Sequence, residues 1–411
     1  MNDAVLLRWK WLCYLQGALA LEAFSAPVLV LFYTSYAGFT IAEYTTIISL
    51  IFVFLWWLEI PMGALADRYG RKNALVAGNV VYLAAMACLV AFGHAVSPWL
   101  VALLFACGGA LATGAFQGMM FDAFAQSGRD ADFHAINARA TSLSMLGSGA
   151  AAVAGGWLAA RSLALPMVVD IGVLGALTLA LAVWLEEPAR RADIRRASVA
   201  AIVRDGVIGC VSNRPLMAAM LIAAAAFACL RAGFNFYQPL LRDSGTSVET
   251  IGWIFAAMYG CSSLMAYLFS HIRKSTLVSK WPPIMLVLLL AVAAAALAVP
   301  GASASTAWIL FAIACHQLVR GMVPSYTAYL INRCLPPHAA NRTTILSGAS
   351  LVRAVWAALL VWSSGLAAES IGSGAAFVLL SAISAVVIAA ICYFRTDAHE
   401  THLAPHPPGG D

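Results

Sequence analysis

Charge is what this sequence has least of. Only 10% of its 411 residues are Asp, Glu, Lys or Arg, while 62% are hydrophobic and the mean hydropathy is +0.85. A water-soluble domain carries about 25% charged residues, so the chain has too few charges to cover a surface facing water and is read as a bilayer protein. Cysteine excludes two further classes. The nine cysteines are odd in number, form no CxxC pair and sit mostly in apolar runs, so neither a disulfide framework nor a zinc site is expected. No Walker, HExxH or catalytic-triad pattern occurs, which leaves ATP-driven transport and hydrolysis without support; no cofactor and no enzyme activity are expected. The net charge of +5 calls for no nucleic-acid partner, because the basic residues are accounted for by membrane topology.

What the sequence does have is apolar runs of membrane-crossing length, about 20 residues each. Twelve are expected: 11 to 36, 43 to 66, 74 to 93, 98 to 125, 137 to 160, 166 to 186, 215 to 241, 248 to 271, 282 to 299, 306 to 332, 342 to 367 and 373 to 394. With both termini in the cytoplasm, 19 Lys and Arg residues fall on the inner side and only Arg161 and Arg242 on the outer, the bias that topology demands. The start MNDAVLLRWKW lacks the small-residue cleavage site of a secretory signal, so the first span is expected to stay. Trp9, Trp11, Trp99 and Trp281 lie near span ends, where indoles anchor at the interface.

The chain also repeats itself weakly. Ala138–Ser144 (ARATSLS) returns as Asn341–Ser347 (NRTTILS), an offset of 203 residues, and the region from Phe32 can be set against that from Phe236 at a similar offset. The expected architecture is therefore an all-α membrane protein with two pseudo-symmetric six-helix halves, 1–186 and 215–395. A cytoplasmic linker, 187–214, joins them, and its Val199, Ile202, Val203, Val207 and Ile208 fall at amphipathic-helix spacing. A flexible cytoplasmic tail, 396–411, with three histidines among prolines and glycines, follows.

Between spans two and three stands EIPMGALADRYGRK. Gly63, Asp67, Arg68, Gly70, Arg71 and Lys72 match GxxxDRxGRK, and Glu59, Pro61 and Gly63 match E-x-P-x-G. In this position the pattern resembles the signature of the major facilitator superfamily, with the second motif similar to its efflux-type members. The resemblance implies twelve spans, two halves that rock about a central site, and a conformational latch in this loop carried by Gly63, Asp67, Arg68, Gly70 and Arg71. Asp122, near the inner end of span four, is an expected partner for Arg71. The corresponding second-half loop, SHIRKS, has lost the acid and the glycines, so a weaker latch is expected there. Other signatures of the family are incomplete: Gly114 stands where proton-linked members carry an arginine, and span five keeps the small residues Gly147, Ala151, Ala152, Gly155 and Gly156 without the proline of drug antiporters.

Ionisable groups deep in the spans point to the site, since a mid-bilayer charge costs about 2.5–3.5 kcal/mol even on lenient scales. Glu22 is counted eleven residues into span one, and Arg231, Arg320 and Arg353 fall at similar depth in spans seven, ten and eleven. The resemblance places spans one, four, seven and ten around a central cavity. Glu22 is the expected proton-coupling carboxylate, with His316 as a helper one helical turn from Arg320; a permanent salt bridge from Glu22 to Arg231 or Arg353 is the structural alternative. Arg231, Arg320, Arg353, Asn235, Tyr237, Gln238 and Gln317 are expected to line the substrate cavity, and Asp170 to lie near the outer exit or pair with Arg161. Three arginines against one acid favour an anionic, amphipathic substrate. The expected function is proton-coupled export of such a compound, a siderophore or antibiotic-like metabolite, from a bacterial inner membrane. Uptake of an organic acid, or a non-transporting receptor or assembly protein, are the alternatives. Partners are the substrate, protons and lipids, and one chain suffices.

Overall fold

The computed structural model describes residues 3–19, 22–112, 115–127, 129–187, 213–272, 281–299, 301, 305–334 and 342–400. Helix dominates the described residues. The first expected span is split into α1 (Asp3–Ala18), a 3₁₀ turn (Ala26–Val28), the short α2 (Leu29–Leu31) and a π turn (Phe32–Tyr36). Then come α3 (Ile41–Tyr69), α4 (Arg71–Phe92), α5 (Pro98–Ala112), α6 (Ala115–Ala125), α7 (Asp130–Ala159) and α8 (Leu165–Trp184). The second set comprises α9 (Arg214–Asp243), α10 (Val248–Ile272), α11 (Trp281–Ala298), α12 (Thr306–Cys334), α13 (Arg342–Ile371) and α14 (Ser373–Glu400). Among the described residues nine helices are long and apolar enough to cross a membrane. The shorter apolar helices Ala26–Tyr36, Pro98–Ala112 and Pro282–Ala298 lie where spans one, four and nine were expected. The linker falls almost wholly outside the described residues, and α14 continues to Glu400, into the segment expected to be tail.

Local chemistry sets the helix ends. Thr40 and Glu43 form a reciprocal capping box at the start of α3, with Glu43 N–H donating to Thr40 Oγ1 (3.1 Å) and Thr40 N–H to Glu43 Oε2 (2.8 Å), which satisfies two otherwise orphaned donors. Gly70 separates α3 from α4 at φ +103°, a backbone conformation that a side chain makes costly. Asn213 accepts from Leu216 N–H at the start of α9, so that helix begins at a cap rather than at the end of its apolar run.

The order of the helices puts the start of α1, the turn at Gly70, the starts of α7, α9, α11 and α13 and the ends of α8, α10, α12 and α14 on one side, here the terminal side; the described turns near 38, 94, 162, 245, 301 and 372 lie on the opposite side. The two sets of helices meet chiefly where α3 packs on α13 and α7 on α10, and the split first span packs on α9 and α10. The hydrogen bonds joining them cluster toward the opposite side: Gln238 to the backbone of Ala26 and Val30, Glu369 to Ala42 N–H (3.2 Å), and Tyr44 to Asn235 (3.2 Å). There a Cβ on Gly156 would lie 2.8 Å from Gly252 Cα, so only glycine allows α7 and α10 to approach this closely. The contacts describe a molecule closed on the side away from its termini. Of those nine helices α9 and α12 are the most enclosed.

Candidate functional site

Glu22 sits where the first span is broken. Its φ of +53° is the one positive value at a non-glycine residue among the described residues, and such strain marks positions that the surroundings over-determine. The helical depth count used for the sequence does not survive this break, yet Glu22 is still at mid-depth: its Oε1 accepts from the Tyr82 hydroxyl at 2.9 Å, and Tyr82 is the twelfth of the 22 residues of α4. Arg231 is within electrostatic reach of Glu22. The permanent salt bridge is replaced by a different pairing, because Arg231 gives Nη1–H to Asn235 Oδ1 at 3.0 Å.

Around that arginine a polar and aromatic cluster spans the two sets of helices. The guanidinium of Arg231 lies 5.9 Å from the Phe52 ring on α3 and 5.9 Å from Phe234. The guanidinium of Arg320 on α12 lies 5.8 Å from the same Phe234 ring and 5.4 Å from that of Tyr259 on α10. Arg353 is exposed, 5.0 Å from Phe227, a ring that in turn meets Phe52 at 6.3 Å. Asn235 Oδ1 also accepts from Tyr44, so one amide oxygen joins Arg231 to a residue of the other set of helices. Two donors there have no acceptor: Asn235 Nδ2, on a side chain with no exposed surface, and Arg320 Nη1 are buried without a hydrogen-bond partner. An unmade buried hydrogen bond costs about 1–3 kcal/mol, a cost that a bound acceptor relieves.

Other expected cavity residues are elsewhere. Tyr237, His316 and Gln317 are at most 1% exposed and lock α9 to α12 and α10. His316 Nδ1 is 2.6 Å from the Tyr237 hydroxyl, Gln317 donates to the same hydroxyl (3.2 Å) and accepts from Ser262 (2.8 Å). At 100° per residue Tyr237 turns about 120° away from Arg231, which sends it into the helix seam rather than toward the cluster. His316 follows it, its ring packed onto Gly233 so closely that a Cβ there would overlap it. Gln238 does share the face of Arg231, but two turns nearer the opposite side, where the first span covers it completely.

Two acids, Asp170 and Glu187, have tasks other than those expected from the sequence. Asp170 on α8, 3% exposed, accepts from Phe24 N–H (3.2 Å) and Ser25 N–H (2.8 Å) and so caps the restart of the first span. It does not pair with Arg161, which instead stacks on Trp157 at 3.6 Å. Glu187 accepts from Arg71 N–H (2.9 Å) and Lys72 N–H (3.4 Å), an acid at the N-terminus of α4 where the helix dipole favours it. Pro27, which cannot donate to the helix ladder, was the available sequence signal for the break; an acid reaching back to a chain segment 145 residues away carries none.

In the motif loop, Arg71 Nη1 lies 2.8 Å from Asp122 Oδ2, and Arg68 lies 5.5 Å from the ring of Tyr69. Gly63 makes no close helix approach, since a Cβ there would meet nothing within 4 Å. The side chain of Asp67 falls outside the described residues. Trp9 is another correction: it is 1% exposed and packs on Phe116 at 5.6 Å, a core residue rather than an interfacial anchor, whereas Trp11 and Trp99 are more than half exposed.

Comparison with known proteins agrees with this architecture. Residues 11–359 match the family model described as Major Facilitator Superfamily. No curated protein matches the sequence. Among solved structures, the nucleoside transporter NupG is similar over 96% of this chain and 99% of its own, with a TM-score of 0.76 at 13% identity. A bacterial homolog of the human lysosomal transporter Spinster, in an inward-facing and unoccupied conformation, is similar over 99% of both chains, with a TM-score of 0.68 at 16% identity. The POT family transporter PepTSo covers 95% of this chain and 98% of its own, with a TM-score of 0.64 at 12% identity. At these identities the likeness is one of fold.

Proposed function

This chain belongs to the major facilitator superfamily, and from that premise we propose that it is a proton-coupled secondary transporter exporting a small, anionic, amphipathic organic compound. As a multi-pass membrane transporter it works with a small-molecule substrate. The finer reading assigns Glu22 to proton coupling and Arg231, Arg320 and Asn235 to the substrate, with the rings of Phe52, Phe234 and Tyr259 against its apolar part. Gly70, Arg71 and Asp122 belong to the latch on the terminal side, which this reading makes cytoplasmic. Two six-helix halves, 1–186 and 215–395, then rock about the cluster, in a bacterial inner membrane and as a monomer. His316, buried between α9 and α12 with its Nδ1 against the Tyr237 hydroxyl, is placed in the helix seam in this reading rather than beside Glu22.

The observation that carries the reading is the pair of buried, unpartnered donors, Arg320 Nη1 and Asn235 Nδ2, set among aromatic rings across from Glu22. A carboxylate supplies the missing acceptors, and arginine recognises it with two parallel bonds; a siderophore or antibiotic-like metabolite that carries that group beside an aromatic ring is the class this reading favours. Export as the direction rests on the E-x-P-x-G resemblance. Thermal stabilisation of the detergent-solubilised protein by a panel of aromatic carboxylates and aromatic amines tests the substrate class. Stabilisation by carboxylates, lost in Arg320→Gln, is the expected result; stabilisation by amines alone contradicts it.

A further inference from the structure

An α-helix joins each N–H to the carbonyl four residues earlier, so Val30 N–H should meet Ala26 C=O. It does not. The side-chain amide of Gln238, from α9 in the other set of helices, stands between them: Oε1 accepts from Val30 N–H at 2.7 Å and from Leu31 N–H at 3.4 Å, while Nε2 donates to Ala26 C=O at 2.9 Å. On the N-terminal side of this wedge Val28 N–H bonds to Ser25 C=O (2.9 Å) in a 3₁₀ turn, whereas Ala26 N–H keeps the ordinary four-residue spacing to Glu22 C=O (3.0 Å). Gln238 has no exposed surface, so no water substitutes for its partners.

We propose that Gln238 is a positioning residue that holds the first span open next to Glu22, and that it does so only while the two sets of helices are closed on the side opposite the termini. Asp170 caps the same break from within its own set of helices, so that half of the arrangement persists when the sets part. The Gln238 half does not. As α9 withdraws, Ala26 C=O and Val30 N–H lose both partners and reclose the ladder with each other. Converting a 3₁₀ turn with about 2.0 Å rise per residue to α geometry at 1.5 Å moves Glu22 relative to the Tyr82 hydroxyl. The device thereby links closure of the opposite side to the setting of the carboxylate, and it rests on the reading of Glu22 as the coupling group.

The test is a distance measurement on the full chain in lipid nanodiscs. Nitroxide labels at Ser97→Cys and Ser370→Cys, both exposed on the opposite side and one in each set of helices, report closure in a background free of the nine native cysteines. Gln238→Met keeps the shape and removes both hydrogen-bonding ends; Gln317→Met removes an equally buried amide from the α10–α12 seam. The expected result is a shift of about tenfold in the closed-to-open ratio for Gln238→Met and none for Gln317→Met. Unchanged distances in Gln238→Met overturn the proposal, and so does equal lengthening in both variants. Should Gln238→Met not fold, Gln238→Glu, which keeps the acceptor and loses the donor, is judged by the same criterion. Proton-driven flux that persists in Glu22→Gln would overturn the coupling reading alone and leave the distance result standing.

Discussion

At Glu22 a strained backbone, one phenol and a distant guanidinium converge on a carboxylate, and replacing the carboxyl by its neutral isostere separates coupling from binding. Glu22→Gln should keep substrate exchange across proteoliposomes while losing accumulation driven by a pH gradient; driven accumulation at the wild-type level would remove Glu22 from the mechanism. Tyr82→Phe loses a single hydrogen bond, worth about 0.5–1.5 kcal/mol, and should slow driven flux severalfold without abolishing it. Gly233→Ala pushes a methyl into the His316 ring, an overpacking that costs about 1–3 kcal/mol and should appear as a lower unfolding temperature, relieved in the Gly233→Ala/His316→Ala double variant. The Arg71–Asp122 pair is partly exposed, 36% and 23% by side chain, so a double-mutant cycle should give a coupling of only about 0.2–1 kcal/mol. Residue types and depth were readable from the sequence, because charges are rare enough in apolar runs for each to stand out. What covers each side chain was not. Gln238 and Arg231 share a helix face, yet one binds backbone and the other stays half-buried in the cluster, a difference decided by the first span, 208 residues from Gln238 at its nearest bond.

Among elements, the long helices follow directly from hydropathy, whereas the broken first span does not. Away from the span starts, prolines fall inside expected spans at 27, 61, 239 and 324, and the last three stay inside continuous helices. Only at Pro27 do Asp170 and Gln238 supply partners for the freed backbone groups, so the proline permits a break and the distant side chains make it. The turn between α3 and α4 was legible, since the glycine at φ +103° belongs to the quoted motif. Gly70→Ala should cost about 1–3 kcal/mol, read as a lower unfolding temperature. The seam of α7 and α10 makes a stronger prediction. Gly156→Val forces the helices apart where Gly252 Cα approaches, and the Ser97–Ser370 label distance should lengthen; an unchanged distance would show that this seam does not set the closure.

The whole molecule was the most legible scale. Scarce charge and recurrent apolar runs predict a helical membrane protein, and the family match over residues 11–359 agrees with the motif between the second and third spans. The state captured was beyond the sequence, because a chain built to rock between two arrangements encodes both. Substrate and direction are the remaining central claims, and one experiment reaches them together. Metabolites inside and outside cells that express the wild type, Glu22→Gln or no transporter should be compared by untargeted mass spectrometry, with and without a protonophore. The account predicts at least one aromatic carboxylate enriched in the medium by the wild type alone, with that enrichment lost on adding the protonophore. Accumulation of such a compound inside the cells, or identical profiles in all three strains, would contradict it.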